Sequence, residues 1–269
     1  MLLKSITLLS AVLSVVLAVM LGNPWLLCSF VGFWLLGAVL AFGWLWLICS
    51  RVDMTQEQNE DDPFYRKWMY IYIEALVQIL QAKVKTSGLE KTPREGRFLL
   101  VCNHQFIADP GILHHFFRNS QLAFISKKEN DNLFAVSQFM HKTLCQSIDR
   151  EDDRQALQVI LKCIRILKED KASVCVFPEG STNHDDKLHP FRPGVFKIAQ
   201  KANVPIVVCT LRNTRPVLHN GLRLKPTHME LRLLDVIPAE SLKGRTAVDI
   251  SEQVYQMMAE DLGPDSIAQ

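Results

Sequence analysis

Apolar positions fall along this chain in three regimes. The first is a continuous one: Ile6 to Leu21 is apolar apart from Thr7, Ser10 and Ser14, and after the breaker Gly22-Asn23-Pro24 a second run extends from Trp25 to Cys49. The second run exceeds the ~20 residues that cross a bilayer, and the first is near the lower limit, so the pair predicts a helical hairpin. The second regime is amphipathic. Asp61-Asp62-Pro63 reads as a helix start, and Phe64 to Ala82 mixes Trp68, Ile71, Ile73, Leu76 and Leu80 with Arg66, Lys67 and Glu74. That helix lies along a membrane surface or packs on a sheet; the pattern allows both. The third regime is one of short apolar runs between turn signals. Val84 to Thr86, Phe98 to Cys102, Leu122 to Ser126, Ser173 to Phe177 and Val204 to Leu211 read as strands, and His228 to Val236 alternates as a strand with one face covered. Helical patterns fill the gaps at Asp109 to Phe117, Leu133 to Leu144, Glu151 to Leu167, Pro193 to Lys201 and Thr246 to Leu262. Strands alternating with helices predict an α/β fold, a mainly parallel sheet flanked by helices and preceded by an N-terminal membrane-embedded hairpin. The boundaries that follow are a hairpin at 1–51, an amphipathic linker at 52–83 and a domain of alternating strands and helices at 84–269.

Charge sharpens this division. Lys4 is the only charged residue before Arg51, and these two account for the whole net charge of +2; the remaining 28 basic residues match the 28 acidic ones. Nucleic-acid binding therefore has little electrostatic support. The two flanking cations favour both hairpin ends, and hence the domain that follows, on the cytoplasmic face. A re-entrant hairpin and a cleaved signal peptide are the rival readings of the apolar runs. The seven cysteines (Cys28, Cys49, Cys102, Cys145, Cys163, Cys175 and Cys209) show no C-x-x-C spacing and sit mostly in apolar runs. They read as reduced, buried thiols.

Candidate chemistry collects where strands end. The run Phe98 to Cys102 stops at Asn103-His104, and Asp109-Pro110 follows. A base at the carboxyl end of a strand with a carboxylate nearby is where α/β sheets carry chemistry. On an ideal helix a five-residue spacing leaves side chains roughly 140° apart. The His104–Asp109 pair must therefore straddle a loop-to-helix junction. There Asp109 either orients the imidazole or serves only as the helix N-cap, with Pro110 at the first helical position. Glu179, Gly180 and Ser181 leave the strand Ser173 to Phe177 in the same manner, while Lys127-Lys128 and Arg150 follow other strand or apolar ends. Together these would give one rim suited to an anionic substrate with a hydroxyl to activate.

The blocks N-H-Q-F-I-A-D-P, I-D-R at 148–150, F-P-E-G-S-T at 177–182 and V-P-I-V at 204–207 resemble the four ordered motifs of the glycerolipid acyltransferase family. The similarity covers roughly Lys83 to Val236. It implies an acyl thioester donor (acyl carrier protein or coenzyme A) and a lysophosphatidate acceptor yielding phosphatidate, with no metal or prosthetic group in the transfer step. It also implies His104 as base, Asp109 as its orienter, Glu179, Gly180 and Ser181 shaping the acceptor site, and Lys128 and Arg150 holding phosphate. Two departures stand out. Thr182 occupies a position where the family carries Arg, so that Arg192 compensates or the acceptor is another lysolipid; and Leu144 and Ser147 replace a Gly and a Phe. A metal-dependent hydrolase built on His104, Asp109, His184, Asp185 and His189 is the rival enzyme class, and a non-catalytic lipid-binding protein the third.

Overall fold

The computed structural model describes residues 1–149, 152–181, 185 and 187–268. Its strands are β1 (Ala82–Ser87), β2 (Leu99–Cys102), β3 (Leu122–Lys127), β4 (Gln146–Ile148), β5 (Ser173–Val176), β6 (Ile206–Arg212) and β7 (Thr227–Ile237). They form one sheet in the order β1-β7-β6-β2-β5-β3-β4, in which only the β6–β7 pair is antiparallel. The helices are α1 (Leu2–Met20), α2 (Ser29–Ser50), α3 (Pro63–Ile79), α4 (Asp109–Phe116), α5 (Val136–Lys142), α6 (Asp153–Lys168), α7 (Lys197–Ala202), α8 (Val217–Leu222) and α9 (Ala247–Leu262).

Strand pleating sorts the core into two layers. Leu99, Val101, Val174, Val176, Ile206 and Val208 face α6, α7 and α9. Leu100, Cys102, Cys175, Val207, Cys209 and Leu211 face α4 and the end of α3. Both faces of the central strands are covered, which is why these segments read as unbroken apolar runs rather than alternating ones. β7 has one open face and alternates as its sequence predicts. The thiols of Cys102, Cys175 and Cys209 lie on one buried face, and burial pushes each of them well up from the ordinary cysteine range. They are packing groups, as the sequence indicates.

Three boundaries differ from expectation. Helix α3 stops at Ile79 because Gln81 takes a left-handed φ of 49°, and Ala82 is already paired in β1 with Thr227. Helix α5 is shorter than 133–144: Ala135 and Leu144 both have positive φ, and the Cys145 N–H closes the helix end onto Met140 O at 2.9 Å. The short strand β4 and helix α8 were not expected from the pattern, being too brief to show a period.

Helices α1 and α2 pair as a hairpin. The Trp34 Nε1 donates to Thr7 Oγ1 at 3.2 Å, and a Cβ at Gly37 would lie 2.8 Å from Ile6 Cγ2. Both helices are long and apolar enough to cross a membrane, and most of their surface is uncovered by protein. Helix α3 runs antiparallel along the end of α2, with Tyr65 and Tyr72 hydroxyls donating to the carbonyls of Ile48 and Ala41 at 3.1 and 2.7 Å. Its other side is tied to the sheet domain through Arg66. That buried guanidinium bonds Asp61 at 2.7 Å and the carbonyls of Leu122 and Thr143 at 3.0 and 3.1 Å. Removing it would strand Asp61 and two carbonyls away from water. Arg66→Ala is therefore expected to cost about 3–5 kcal/mol, seen as a lowered unfolding temperature in detergent solution. Arg66→Lys should recover only part of that, since an ammonium lacks the planar fork.

Candidate active site

Because β2, β3, β5 and β6 are mutually parallel, their carboxyl ends meet at one edge, and the loops leaving them build the site. The chain turns sharply after Cys102. Asn103 is buried and clamps that turn to β6, its Nδ2 donating to Leu211 O at 2.9 Å and its Oδ1 accepting from Leu211 N at 2.7 Å. His104 comes next. Its backbone N–H donates to Glu179 Oε1 at 2.9 Å, and its ring stacks on Phe177 with centroids 4.1 Å apart and planes 16° from parallel.

The His104 Nδ1 lies 2.9 Å from Asp109 Oδ2. The same oxygen accepts from the backbone N–H groups of Gln105 and Phe106 at 2.7 and 2.8 Å. Asp109 is fully buried and is the first residue of α4, not its N-cap; that place belongs to Ala108, which offers no side-chain bond. The choice between an orienting and a capping aspartate thus resolves locally. The carboxylate turns back into the 104–106 loop, away from the first free N–H groups of α4. An acceptor at Nδ1 places the ring proton there and the lone pair on Nε2, the tautomer required of a base acting through Nε2.

Glu179 is a brace. It is buried, and its two oxygens take one backbone N–H each, from His104 at 2.9 Å and His189 at 3.0 Å. Burial pushes its carboxyl up to about 7, against the two N–H donors that pull it down. It joins the loops after β2 and β5 and does not itself line the cavity beside them. Gly180 has φ of 75°, and a Cβ there would lie 2.8 Å from Arg192 Nε and 3.0 Å from its Cδ. The glycine therefore serves two ends: it permits the left-handed turn and lets the arginine lie flat over the backbone.

The cavity at this edge has a volume of about 810 Å³. His104, Gly180 and the cationic side chains of Lys127, Arg192 and Arg215 form part of its wall, while Leu45 of α2 and Met69, Ile73 and Leu76 of α3 carry it onto the apolar hairpin and the helix beside it. Lys128 departs from expectation. Its Nζ pairs with Asp149 Oδ2 at 3.0 Å on an exposed surface, and Lys127 takes the wall position, because successive side chains leaving a strand point to opposite sides. Ser181 follows Gly180 without lining the cavity. Arg150, Thr182 and His184 lie outside the described residues. Of the rival metal set, Asp185 and His189 pair with each other at 3.0 Å, and among the described residues no three metal-binding side chains converge. Sequence reasoning missed Asn103, Phe177 and Arg215. The first two stand inside the quoted motif blocks, but their roles depend on neighbouring strands.

Residues 83–212 match the family model described as Acyltransferase. The chain is 30% identical over 188 residues to a 1-acyl-sn-glycerol-3-phosphate acyltransferase of Chlamydomonas reinhardtii, covering 69% of this chain and 54% of that protein. It is 29% identical over 181 residues to the chloroplastic 1-acyl-sn-glycerol-3-phosphate acyltransferase of Brassica napus, covering 67% and 51%. The chain thus spans about half the length of these relatives. The crystal structure of the 1-acyl-sn-glycerophosphate acyltransferase from Thermotoga maritima superposes with a TM-score of 0.62 at 20% identity, covering 83% of this chain and 87% of that one, and shares its fold.

The Glu179 carboxyl makes a pH prediction. A folded-state value of about 7, above the ordinary 4.5, means the native state binds this proton more tightly than the unfolded chain. Its contribution is fully present below 4.5 and is lost as pH rises through 7. The stability of the native chain relative to Glu179→Gln should therefore fall by about 3 kcal/mol across that window. Parallel denaturant titrations at several pH values measure it; a pH-independent difference would contradict the assignment.

Proposed function

We propose that this chain, which carries an acyltransferase domain across residues 83–212, moves a fatty acyl group from an acyl thioester to the sn-2 hydroxyl of 1-acyl-sn-glycerol-3-phosphate, giving phosphatidate. The observation that carries the reading is the His104–Asp109 pair, held at 2.9 Å beside a cavity whose wall is apolar in one part and cationic in another. His104 Nε2 takes the proton of the acceptor hydroxyl as its oxygen attacks the thioester carbonyl. Asp109 fixes the ring and stabilises the imidazolium that results. The tetrahedral oxyanion is stabilised by a nearby backbone N–H or cation, then collapses to the ester and expels the thiolate, which receives the proton from the imidazolium. No enzyme nucleophile is needed.

The acceptor's phosphate is assigned to the cations of the cavity wall, Arg192 foremost, with Lys127 and Arg215 beside it. An arginine fork suits a phosphate, and Arg192 lies beside Gly180 in the cavity wall. Arg150 and Lys128, the remaining sequence candidates, belong to the same proposal with less support, since Lys128 is engaged with Asp149. The acyl chains are assigned to the apolar wall formed with α2 and α3. The donor is an acyl carrier protein thioester or acyl-CoA, the hairpin holds the domain at the membrane, and the catalytic face is cytoplasmic. No metal or prosthetic group enters the proposed transfer.

Membranes carrying the protein should consume thioester and form phosphatidate when lysophosphatidate is supplied, and His104→Ala should lose the activity by about 10³-fold while folding and inserting normally. Donor consumption only with a different lysolipid would keep the reaction class and replace the acceptor. No transfer to any lysolipid from either donor would end the proposal. A second expectation concerns Gly180→Ala. The added Cβ displaces Arg192 and is strained at a φ of 75°, so the KM for lysophosphatidate should rise about 10-fold, the loss of roughly one charge-assisted contact. Initial-rate kinetics at varied acceptor measure this.

A further inference from the structure

Helix α8 and the turn after it carry a group of side chains that neither the fold nor the proposed chemistry uses. Leu222 and Leu224 are each 78% exposed, and Leu218 is 46% exposed. Leu224 closes the helix in a left-handed conformation with φ of 54°, its N–H bonded to Gly221 O and that of Lys225 to Asn220 O. Glycine or asparagine is the ordinary choice there, and a leucine costs about 1–2 kcal/mol more in that conformation. A large apolar side chain has thus been kept where it packs on nothing and suits the backbone poorly. The charges around it are one-sided. Between Asn213 and Pro226 the sequence has Arg215, Arg223 and Lys225 and no acidic residue, in a chain whose basic and acidic residues are equal in number after Arg51. Arg223 and Lys225 are exposed beside the leucines.

The position of this segment gives the combination its meaning. It follows β6 at the edge of the sheet that holds His104, and Thr214 N donates to Gln105 Oε1 at 3.5 Å. Val217 and Arg215 line the cavity. Gly221 is pressed onto the end of α3, where a Cβ would lie 2.7 Å from Leu80 Cδ2. On that same helix end Leu76 and Ile79 are more than half exposed, and α3 is bonded along the apolar hairpin through Tyr65 and Tyr72. Exposed leucines, basic neighbours and a helix leading directly to the hairpin together match a lipid surface with anionic headgroups better than a protein partner.

We propose that residues 217–225 form a second membrane contact, separate from the hairpin. Leu222 and Leu224 enter the acyl-chain region, and Arg223 and Lys225 lie on anionic headgroups. The contact seats the cavity mouth against the bilayer, so that a lipid reaches His104 without crossing water. The claim concerns location alone and stands or falls independently of the acceptor assignment.

The test uses the full chain in vesicles, where the hairpin retains the protein and a label reports only where α8 lies. A polarity-sensitive fluorophore is placed at Leu222→Cys in a Cys28→Ser background, since the other native cysteines are buried or half-buried. The control site is Val248→Cys, an exposed position on α9; the chain reaches α9 from Ile237, which pairs with the first residue of β6, so the label sits at the opposite edge of the sheet. In phosphatidylglycerol-containing vesicles with brominated acyl chains, the 222 label should shift to shorter wavelength and lose roughly half of its emission, as for a side chain buried below the headgroups; the 248 label should do neither. Adding Arg223→Glu and Lys225→Glu should weaken the quenching without lowering the unfolding temperature. Equal aqueous emission at both sites would overturn the proposal. So would a shift at 222 that needs an acidic carrier protein rather than lipid, which would make the patch a protein-docking surface.

Discussion

The 2.9 Å contact between His104 Nδ1 and Asp109 Oδ2 depends on constraints supplied from three strands. Asn103 fixes the turn after β2 by bonding both polar groups of a β6 residue, so the loop cannot slide relative to the sheet. Glu179, leaving β5, holds the His104 backbone N–H, and Phe177 covers one face of the imidazole. Asp109 then gathers the ring nitrogen and two loop N–H groups on one oxygen. A site assembled this way is held in place because its elements are paired in one sheet. The parallel pairing of β2 with β5 and β6 is what turns three separate strand ends into a single edge.

Two buried carboxylates lie within this small volume, and the structure treats them differently. Asp109 has its partners, the His104 ring nitrogen and two backbone N–H groups, gathered on one oxygen. Glu179 is desolvated enough that its carboxyl rises to about 7 despite its own two donors. The brace can therefore change protonation near neutrality.

Much of the fold was legible in the chain. Buried on both faces, β2, β5 and β6 wrote themselves as apolar runs, and the exposed face of β7 wrote itself as alternation. The hairpin was evident from length and lack of charge. The histidine and aspartate stood out as candidates at a strand end, but the five-residue spacing left Asp109 as either orienter or helix cap, and the orienting role came only with the family resemblance. What escaped depends on neighbours distant in sequence. Asn103 looks like an ordinary turn residue until Leu211 is seen opposite it, 108 positions away. Glu179 was expected to shape the acceptor site from the family resemblance alone, whereas its two oxygens are taken by the backbone N–H groups of His104 and His189. Lys127 and Lys128 cannot be told apart without the exact end of β3, and α8 is too short to announce itself.

The central claim is that Asp109 acts through His104 rather than beside it. A double-mutant cycle in single-turnover acyl transfer measures this most directly, comparing His104→Ala, Asp109→Asn and the pair, each shown to be folded. Residues that work as one unit are strongly non-additive. The account predicts that Asp109→Asn slows the native enzyme by about 10²-fold or more and has almost no further effect once His104 is alanine. Losses that multiply in the double variant would mean that the aspartate contributes independently of the histidine, and the pair could no longer be read as a base with its orienting carboxylate.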